Sequence, residues 1–538
     1  MILVTLQDWH GFALRRRTLS ESIPPVFHAG PAGSDFDVAI VGYGPTGAVL
    51  ANLLGARGWD VAVFDREPDL LNLPRAIHFD GEVMRVFQSA GLAQAIAQLV
   101  RPSGGMQYID LAGRLMLERK PSSATGVHGW ADNCLFHQPD LENALRRGVA
   151  RFPEVKAFLR HEVEAIVQDG RMATLSVRSL DDNAVREVRA RWIVGCDGAR
   201  SLTREAIGSG HVDLGLHQPW LVVDVLIERD IDLPEETVQF CDPARPITFV
   251  KGTGRHRRWE IMLMPGDDAQ AMTQPEVVWR LLSRWLKPGD ATLARGAVYT
   301  FHSLIAQRWR DRRLLIAGDS AHQTPPFLGQ GMCAGIRDAS NLEWKLDLVL
   351  RGAGEELLDT YQTERAPHVH EYIATAVRLG NIIQTTDPAV AAQRDREFEQ
   401  GGTREIINLS PQLGPGLHMG ELPAGTLPGQ PLLSDGRMLD EVLGHAFSVV
   451  SADDSITAAL PSAERATFDE LDARWVADAA LAPWLHNLGA RVAVLRPDRY
   501  VFGRAMDTDD LARLARRLPT CSNKILETNR APARTQCN

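Results

Sequence analysis

Residues 38–65 read VAIVGYGPTGAVLANLLGARGWDVAVFD, and this stretch decides how the rest of the chain is placed. Its opening, Asp37 to Gly42, is short, β-branched and apolar, as a strand buried on both faces of a parallel sheet requires. Gly42, Gly44 and Gly47 follow, with Pro45 and Thr46 between the last two. In such a turn the first glycine permits the tight reversal and the second lets backbone approach a pyrophosphate. The third lets the next helix pack closely on the strand. That helix would aim its unpaired N-terminal N–H groups at the phosphates. It continues through Ala48 to Leu54 and stops at Gly58, and a second apolar strand, Asp60 to Phe64, delivers Asp65. An acid about 20 positions beyond the glycines is where an adenine ribose is gripped through its hydroxyls. Strand, turn, helix, second strand and acid in one register predict a dinucleotide site.

With 538 residues, the chain exceeds one ordinary core, so two or three domains are expected. A net charge of −10 disfavours a nucleic-acid role, and no apolar run is long enough to span a membrane as a helix. Six scattered cysteines contain no C-x-x-C pair and no metal-ligand spacing; they point to a reducing cytoplasm and to no metal site. Residues 1–34 carry Arg15-Arg16-Arg17 without an apolar run after it, so they read as a loosely ordered extension and not as a signal peptide.

Further along, Gln138-Pro139-Asp140 reads as a helix start, and 163–190 alternates through two turns as antiparallel hairpins. A buried strand, Trp192 to Val194, precedes Gly195-Cys196-Asp197-Gly198. From His217 to Thr300 separated strand-like runs predict a mainly antiparallel sheet inserted into the nucleotide domain. Most of Arg245, His256, Arg257 and Arg258 read there as solvated surface charges. Another buried strand, Arg313 to Ala317, ends at Gly318-Asp319, and a long helix begins near Gly331 with Met332, Ile336, Ala339, Leu342 and Leu346 on one face. Its glycine-rich start suits a reduced flavin, negative at its pyrimidine edge. Tyr361 to Ile383 reads as a second long helix, and a third unit closes the chain.

Three separated blocks, the glycine turn with its acid, Cys196-Asp197-Gly198, and Gly318-Asp319 with Gly329-Gln330-Gly331, together resemble the single-component FAD-dependent aromatic hydroxylases of the phenol and p-hydroxybenzoate hydroxylase type. The resemblance covers about Asp35 to Ile383. Finer matches at 74–77, 241–246, 298–300 and 495–500 resemble the 3-(3-hydroxyphenyl)propanoate hydroxylase branch. The resemblance implies an α/β fold: a Rossmann-type FAD-binding domain (35–215 plus 300–383), an inserted antiparallel-sheet substrate domain (216–299), a linker (384–430) and a thioredoxin-like C-terminal domain (431–520) before a tail (521–538). Without C-x-x-C, the last domain would be structural or oligomeric, with a homodimer as one outcome.

By the same resemblance, Gly42, Gly44, Pro45, Thr46 and Gly47 hold the FAD pyrophosphate, and Asp65 with Arg66 the adenosine ribose. Gln138 and Asp319 would contact the ribityl chain, Arg75 the mobile flavin, and Pro325, Gly329, Gly331, Met332 and Cys333 the ring. Asp197 belongs to the block linked to both FAD and the visiting NADH or NADPH. Two positions depart from the pattern, Asp65 where many relatives carry Glu and Cys333 where Asn is common. The implied reaction uses NAD(P)H and O2 to hydroxylate a small phenolic acid ortho to its hydroxyl, giving the 2,3-dihydroxy product from 3-(3-hydroxyphenyl)propanoate. Another phenol, a resorcinol or a polyketide is the alternative substrate, and an oxidase making only hydrogen peroxide the alternative enzyme. A base near the phenol would help, for which His78, Tyr299 and His302 are candidates. An anionic side chain would want an arginine, Arg75 or Arg245, with Tyr299 and Pro325 also lining the substrate site.

Overall fold

The computed structural model describes residues 35–70 and 76–520. The expected extension and tail, and Arg75, lie outside the described residues. The stretch 38–65 forms strand Phe36–Val41, helix Pro45–Ala56 and strand Val61–Asp65. Five parallel strands assemble in the order Leu314–Ile316, Val185–Gly195, Phe36–Val41, Val61–Asp65, Val155–Leu159. All six residues of Phe36–Val41 are buried, which is why that strand reads as an unbroken apolar run. The turns at Asp169-Gly170 and Asp181-Asp182 do make antiparallel hairpins, His161–Gln168 with Ala173–Ser179 and that strand with Val185–Gly195.

The second sheet has nine strands in the order His322–Gln323, Ala291–Ala306, His211–Ile227, His256–Met262, Ile247–Lys251, Thr237–Phe240, Met106–Ile109, Leu115–Arg119, Arg404–Glu405. It is mainly antiparallel, as expected, but it draws on residues well outside 216–299. The hairpin Met106–Arg119 joins it through a parallel pairing of Met106–Ile109 with Thr237–Phe240. One face of this sheet packs its apolar side chains, among them Leu221, Val223, Phe249 and Trp259, against helix Pro275–Leu282. The opposite face turns toward the nucleotide-binding fold.

Segment 384–430, expected as a linker, contains helix Pro388–Gly401 and the edge strand Arg404–Glu405. Asp387 caps that helix by accepting from the N–H groups of Ala389 and Val390. Long helices Gly331–Leu350 and Asp359–Ile383 pack behind the first sheet. The C-terminal unit has a four-stranded sheet ordered Arg474–Ala477, Ser448–Ser451, Val492–Leu495, Val501–Ala505, parallel in its first pair and antiparallel in the rest. No helix among the described residues is long and apolar enough to cross a membrane.

Candidate active site

A cavity of about 370 Å³ lies between the loops of the first sheet and the open face of the second. Its first wall begins with Gly44, Pro45 and Thr46. Gly42 has φ +100°, and a Cβ there would stand 2.3 Å from the Cys196 carbonyl oxygen; a Cβ on Gly47 would stand 2.1 Å from the Gly42 oxygen. Gly44, by contrast, meets nothing within 4 Å, so the turn is packed backbone against backbone behind and open in front. The helix that follows has no side-chain cap and no acid in its first turn, and the same holds for helix Gly331–Leu350, whose start also lines the cavity. Two uncapped helix N-termini thus offer free N–H groups and positive dipole ends to one space, which fits the anionic parts of a flavin dinucleotide.

Asp65 ends its strand beside the turn, one oxygen accepting from Tyr43 N at 2.8 Å and the other from Glu67 N at 2.9 Å. Those bonds fix its carboxylate where a ribose would lie and leave further lone pairs for hydroxyls. Gln138, at the start of its helix, accepts from Ala76 N at 2.7 Å and lines the cavity together with Asp319. Asp197 does something different from direct contact. It accepts from Ser201 Oγ and Ser320 Oγ on one oxygen, and from Thr203 N and Oγ1 on the other. The carboxylate is thereby filled, and it ties the Gly198-Ala199 loop, which does line the cavity, to the loop carrying Asp319.

Gly329, Gly331 and Met332 line the cavity as expected, whereas Pro325 and Cys333 are buried behind its wall. The Cys333 thiol faces the carbonyls of His78 and Gly329, and burial pushes its pKa upward, so it is a packed neutral thiol. Arg66 stands at the surface, loosely paired with Glu67 at 3.5 Å and Glu162 at 3.9 Å.

The second wall is built by strand register. Glu260, Thr248 and Gln239 stand opposite one another across three neighbouring strands, and all three line the cavity. In the adjoining row Thr237 faces Met106, which faces Arg119. Alternation along each strand therefore sends apolar residues to the core and this polar set to the cavity. Burial raises the pKa of Glu260 above the usual carboxylate range, against the pull of Arg258, whose nearest nitrogen is 3.9 Å away. Arg258 itself is only 2% exposed and holds Asp224 at 2.7 Å, so it is a buried ion-pair member and not a solvated charge. Arg119 is buried, its Nε has no partner, and no carboxylate of the described residues forms an ion pair with it.

Of the expected bases, His78 lines the cavity with Nε2 2.9 Å from Asn133 Oδ1 and Nδ1 3.2 Å from the Gly329 oxygen, and as a neutral ring it donates to one of the two. Burial, reinforced by Arg119, lowers its pKa to about 4, so it is a neutral framework residue at physiological pH. Tyr299 lines the cavity under the Arg295 guanidinium, 5.5 Å from its ring centre. His302 lines it at the half-exposed edge, where its Nδ1 is 2.7 Å from His217 Nδ1 and His217 in turn meets Asp213 at 2.7 Å. Arg245 is not at the site: its guanidinium is held by Asp267 at 2.6 Å and by the Met262 carbonyl.

Comparison with known proteins agrees with this architecture. The family pattern described as FAD binding domain matches residues 35–376. The chain belongs to the FAD-dependent aromatic hydroxylase family. It is 37% identical to a probable NADH-specific resorcinol 4-hydroxylase of Rhodococcus jostii, over 90% of this chain and 94% of that one. It is 33% identical to a 3-(3-hydroxy-phenyl)propionate/3-hydroxycinnamic acid hydroxylase of Burkholderia cenocepacia, over 86% of this chain and 93% of that one. Among solved structures, the flavin-dependent monooxygenase PieE with FAD and substrate has a TM-score of 0.76 at 19% identity, covering 90% of this chain and 98% of that one. Aklavinone-11 hydroxylase with FAD and aklavinone has 0.74 at 22%, covering 90% and 99%. At those identities the structural likeness concerns the fold. The family membership and the glycine cradle together make FAD the cofactor of this flavoprotein.

Of the cavity's second wall, sequence found Tyr299 and His302 but missed the polar row across the neighbouring strands. The strands of Thr248 and Glu260 are legible locally, but only long-range register brings Arg119, Gln239, Thr248 and Glu260 onto one wall.

Proposed function

We propose that this hydroxylase uses NADH to introduce one oxygen atom of O2 into a phenolic aromatic acid, ortho to its hydroxyl. The substrate that fits best is 3-(3-hydroxyphenyl)propanoate, giving the 2,3-dihydroxy product. The observation that carries the reading is the continuity of one cavity from the uncapped helix N-termini to the polar face of the second sheet. Relatives named for that substrate, at 31–34% identity over most of the chain, support it. FAD, when bound, accepts a hydride and activates oxygen; the protein supplies binding, orientation and electrostatics.

On this reading Gly42 to Gly47, Asp65, Gln138 and Asp319 hold the cofactor, and Asp197 positions the loops that do so. Phe327, Leu328 and Val222 line the cavity with apolar surface and would keep water out of it, which limits loss of reducing equivalents to hydrogen peroxide. Glu260, Tyr299 and His302 offer acceptor atoms to a phenolic proton, with Glu260 and Tyr299 on the deeper wall. NADH as the reductant is supported by the relative whose name specifies it. The same relative favours a second reading, hydroxylation of resorcinol. The free thiols of Cys134, Cys196, Cys241 and Cys333 accord with the cytoplasmic location that completes the proposal, and a homodimer remains part of it.

Aerobic oxidation of NADH and of NADPH, followed with and without 3-(3-hydroxyphenyl)propanoate or resorcinol, tests both readings if hydroxylated product and hydrogen peroxide are assayed separately. Stimulation by one phenol with matching product selects that substrate. Oxidation that yields only peroxide with every phenol overturns the hydroxylase reading.

A further inference from the structure

We infer that Arg119 is the specificity-determining residue of the substrate cavity, an anchor for the carboxylate of an acidic phenol. The inference rests on the hydroxylase reading above and deepens it by fixing the charge of the substrate.

Arg119 closes strand Leu115–Arg119, where it stands directly opposite Met106, itself opposite Thr237; all three line the cavity. The residue is 8% exposed, yet its Nε has no hydrogen-bond partner and no carboxylate of the described residues pairs with the guanidinium. Acids do lie in the neighbourhood, but they are committed elsewhere. Asp80 and Glu82 both pair with Arg337, and Asp110 pairs with Arg114. The other arginines near the substrate wall are also committed: Arg258 and Arg295 to Asp224, and Arg245 to Asp267. A buried guanidinium with no carboxylate beside it is costly, and an incoming carboxylate would relieve that cost. The planar fork of Arg119 matches a carboxylate in two hydrogen bonds, a geometry that neither a phenol nor a lysine reproduces. A resorcinol presents no anion to this group at neutral pH, so the cavity favours the acid over the neutral phenol.

The holoenzyme with bound FAD can be titrated in the absence of NADH, with the flavin absorption spectrum reporting ligand binding. The probes are 3-(3-hydroxyphenyl)propanoate and its uncharged methyl ester; the variants are Arg119→Met, which keeps length without charge, and Arg119→Lys, which keeps charge without the fork. FAD content per chain is measured for each. The wild type is expected to prefer the acid by about 10- to 100-fold, the size of a charge-assisted hydrogen-bonded contact. Arg119→Met should abolish the preference by weakening the acid alone, and Arg119→Lys should restore part of it. Equal affinity for acid and ester in the wild type overturns the assignment. So does retention of the preference in Arg119→Met, or an equal loss for both probes, which would instead place Arg119 in service of the flavin. Because binding is read without turnover, the two claims fail separately. A charge preference can persist while NADH is consumed without hydroxylated product, and hydroxylation of a neutral phenol can proceed with no charge preference at all.

Discussion

At the scale of single residues, the site is decided by atoms that are absent and by charges that are suppressed. Gly47 has no room for a methyl group, because its Cβ would overlap the Gly42 oxygen. Gly47→Ala must therefore open the turn, and the expected result is a folded protein whose FAD affinity falls at least about tenfold. The flavin-to-protein absorbance ratio after purification reads this directly; full flavin content in the variant would contradict the packing argument. His78 gives a pH prediction. Its folded pKa, about 4, lies below the ordinary value of 6.5 because burial and Arg119 penalise the cation. Between those two pH values the unfolded chain binds a proton that the folded one refuses, so stability falls as pH drops from 6.5 toward 4. The shift corresponds to roughly 3 kcal/mol at most. His78→Gln should remove that part of the acid sensitivity, which urea unfolding at pH 7, 5.5 and 4.5 would show as a shallower trend than the wild type. Parallel trends would mean that His78 titrates normally.

At the scale of elements, the distinction between holding the cofactor and holding the loops becomes testable at Asp197. Its four donors come from the helix start at Ser201 to Thr203 and from Ser320, so the residue joins two loop systems before any ligand arrives. Asp197→Ala is expected to cost about 2–3 kcal/mol in stability and to weaken FAD binding with it, since several buried donors lose their acceptor together. Loss of FAD affinity with an unchanged denaturation midpoint would show direct contact instead. The elements of the first sheet were legible because parallel strands buried on both faces must be apolar throughout, and because the glycine turn has a fixed spacing to its acid. The second sheet was legible only in part. Strands such as Ile247–Lys251 announce themselves locally, but nothing in LMLER at 115–119 announces that it lies four strands from Glu260 in the same sheet. Arg119 was missed for that reason, and Arg245 was chosen because an arginine in a turn near the substrate strands looks available until its partner, Asp267, is seen. The helix Pro388–Gly401 escaped because its stretch is polar and draws its stability from a cap and from Arg394 reaching the Cys241 carbonyl, not from an apolar stripe.

At the scale of the whole molecule, the C-terminal unit is joined to the cofactor-bearing helices through buried charge. Arg496 is fully buried, with Glu364 at 2.8 Å and Asp498 at 2.6 Å; Lys345 reaches the same Glu364 oxygen at 2.8 Å. Asn341, on helix Gly331–Leu350, donates to both Glu364 and Asp498. Burial alone would raise the Glu364 pKa, but Arg496 and Lys345 outweigh it and hold the carboxyl well below its usual range. Apolar packing continues across the same seam, with Trp344 edge-on to Phe447 at 5.5 Å. A second tie runs from Tyr500 to Glu82 at 2.7 Å, and Glu82 in turn holds Arg337 two turns into the helix whose start lines the cavity. Removing one member of such a network strands its partners without compensation, which costs more than the network contributes when intact. Arg496→Met is therefore expected to destabilise the protein by about 3–5 kcal/mol and to do so as one cooperative transition in which flavin release and loss of helicity coincide. Differential scanning calorimetry with simultaneous flavin fluorescence separates the alternatives. If flavin stays bound through a first transition and leaves only in a second, the C-terminal unit is an appendage with its own stability. If both signals move together to lower temperature, the helix wall of the active site depends on the buried charges contributed by the last hundred residues.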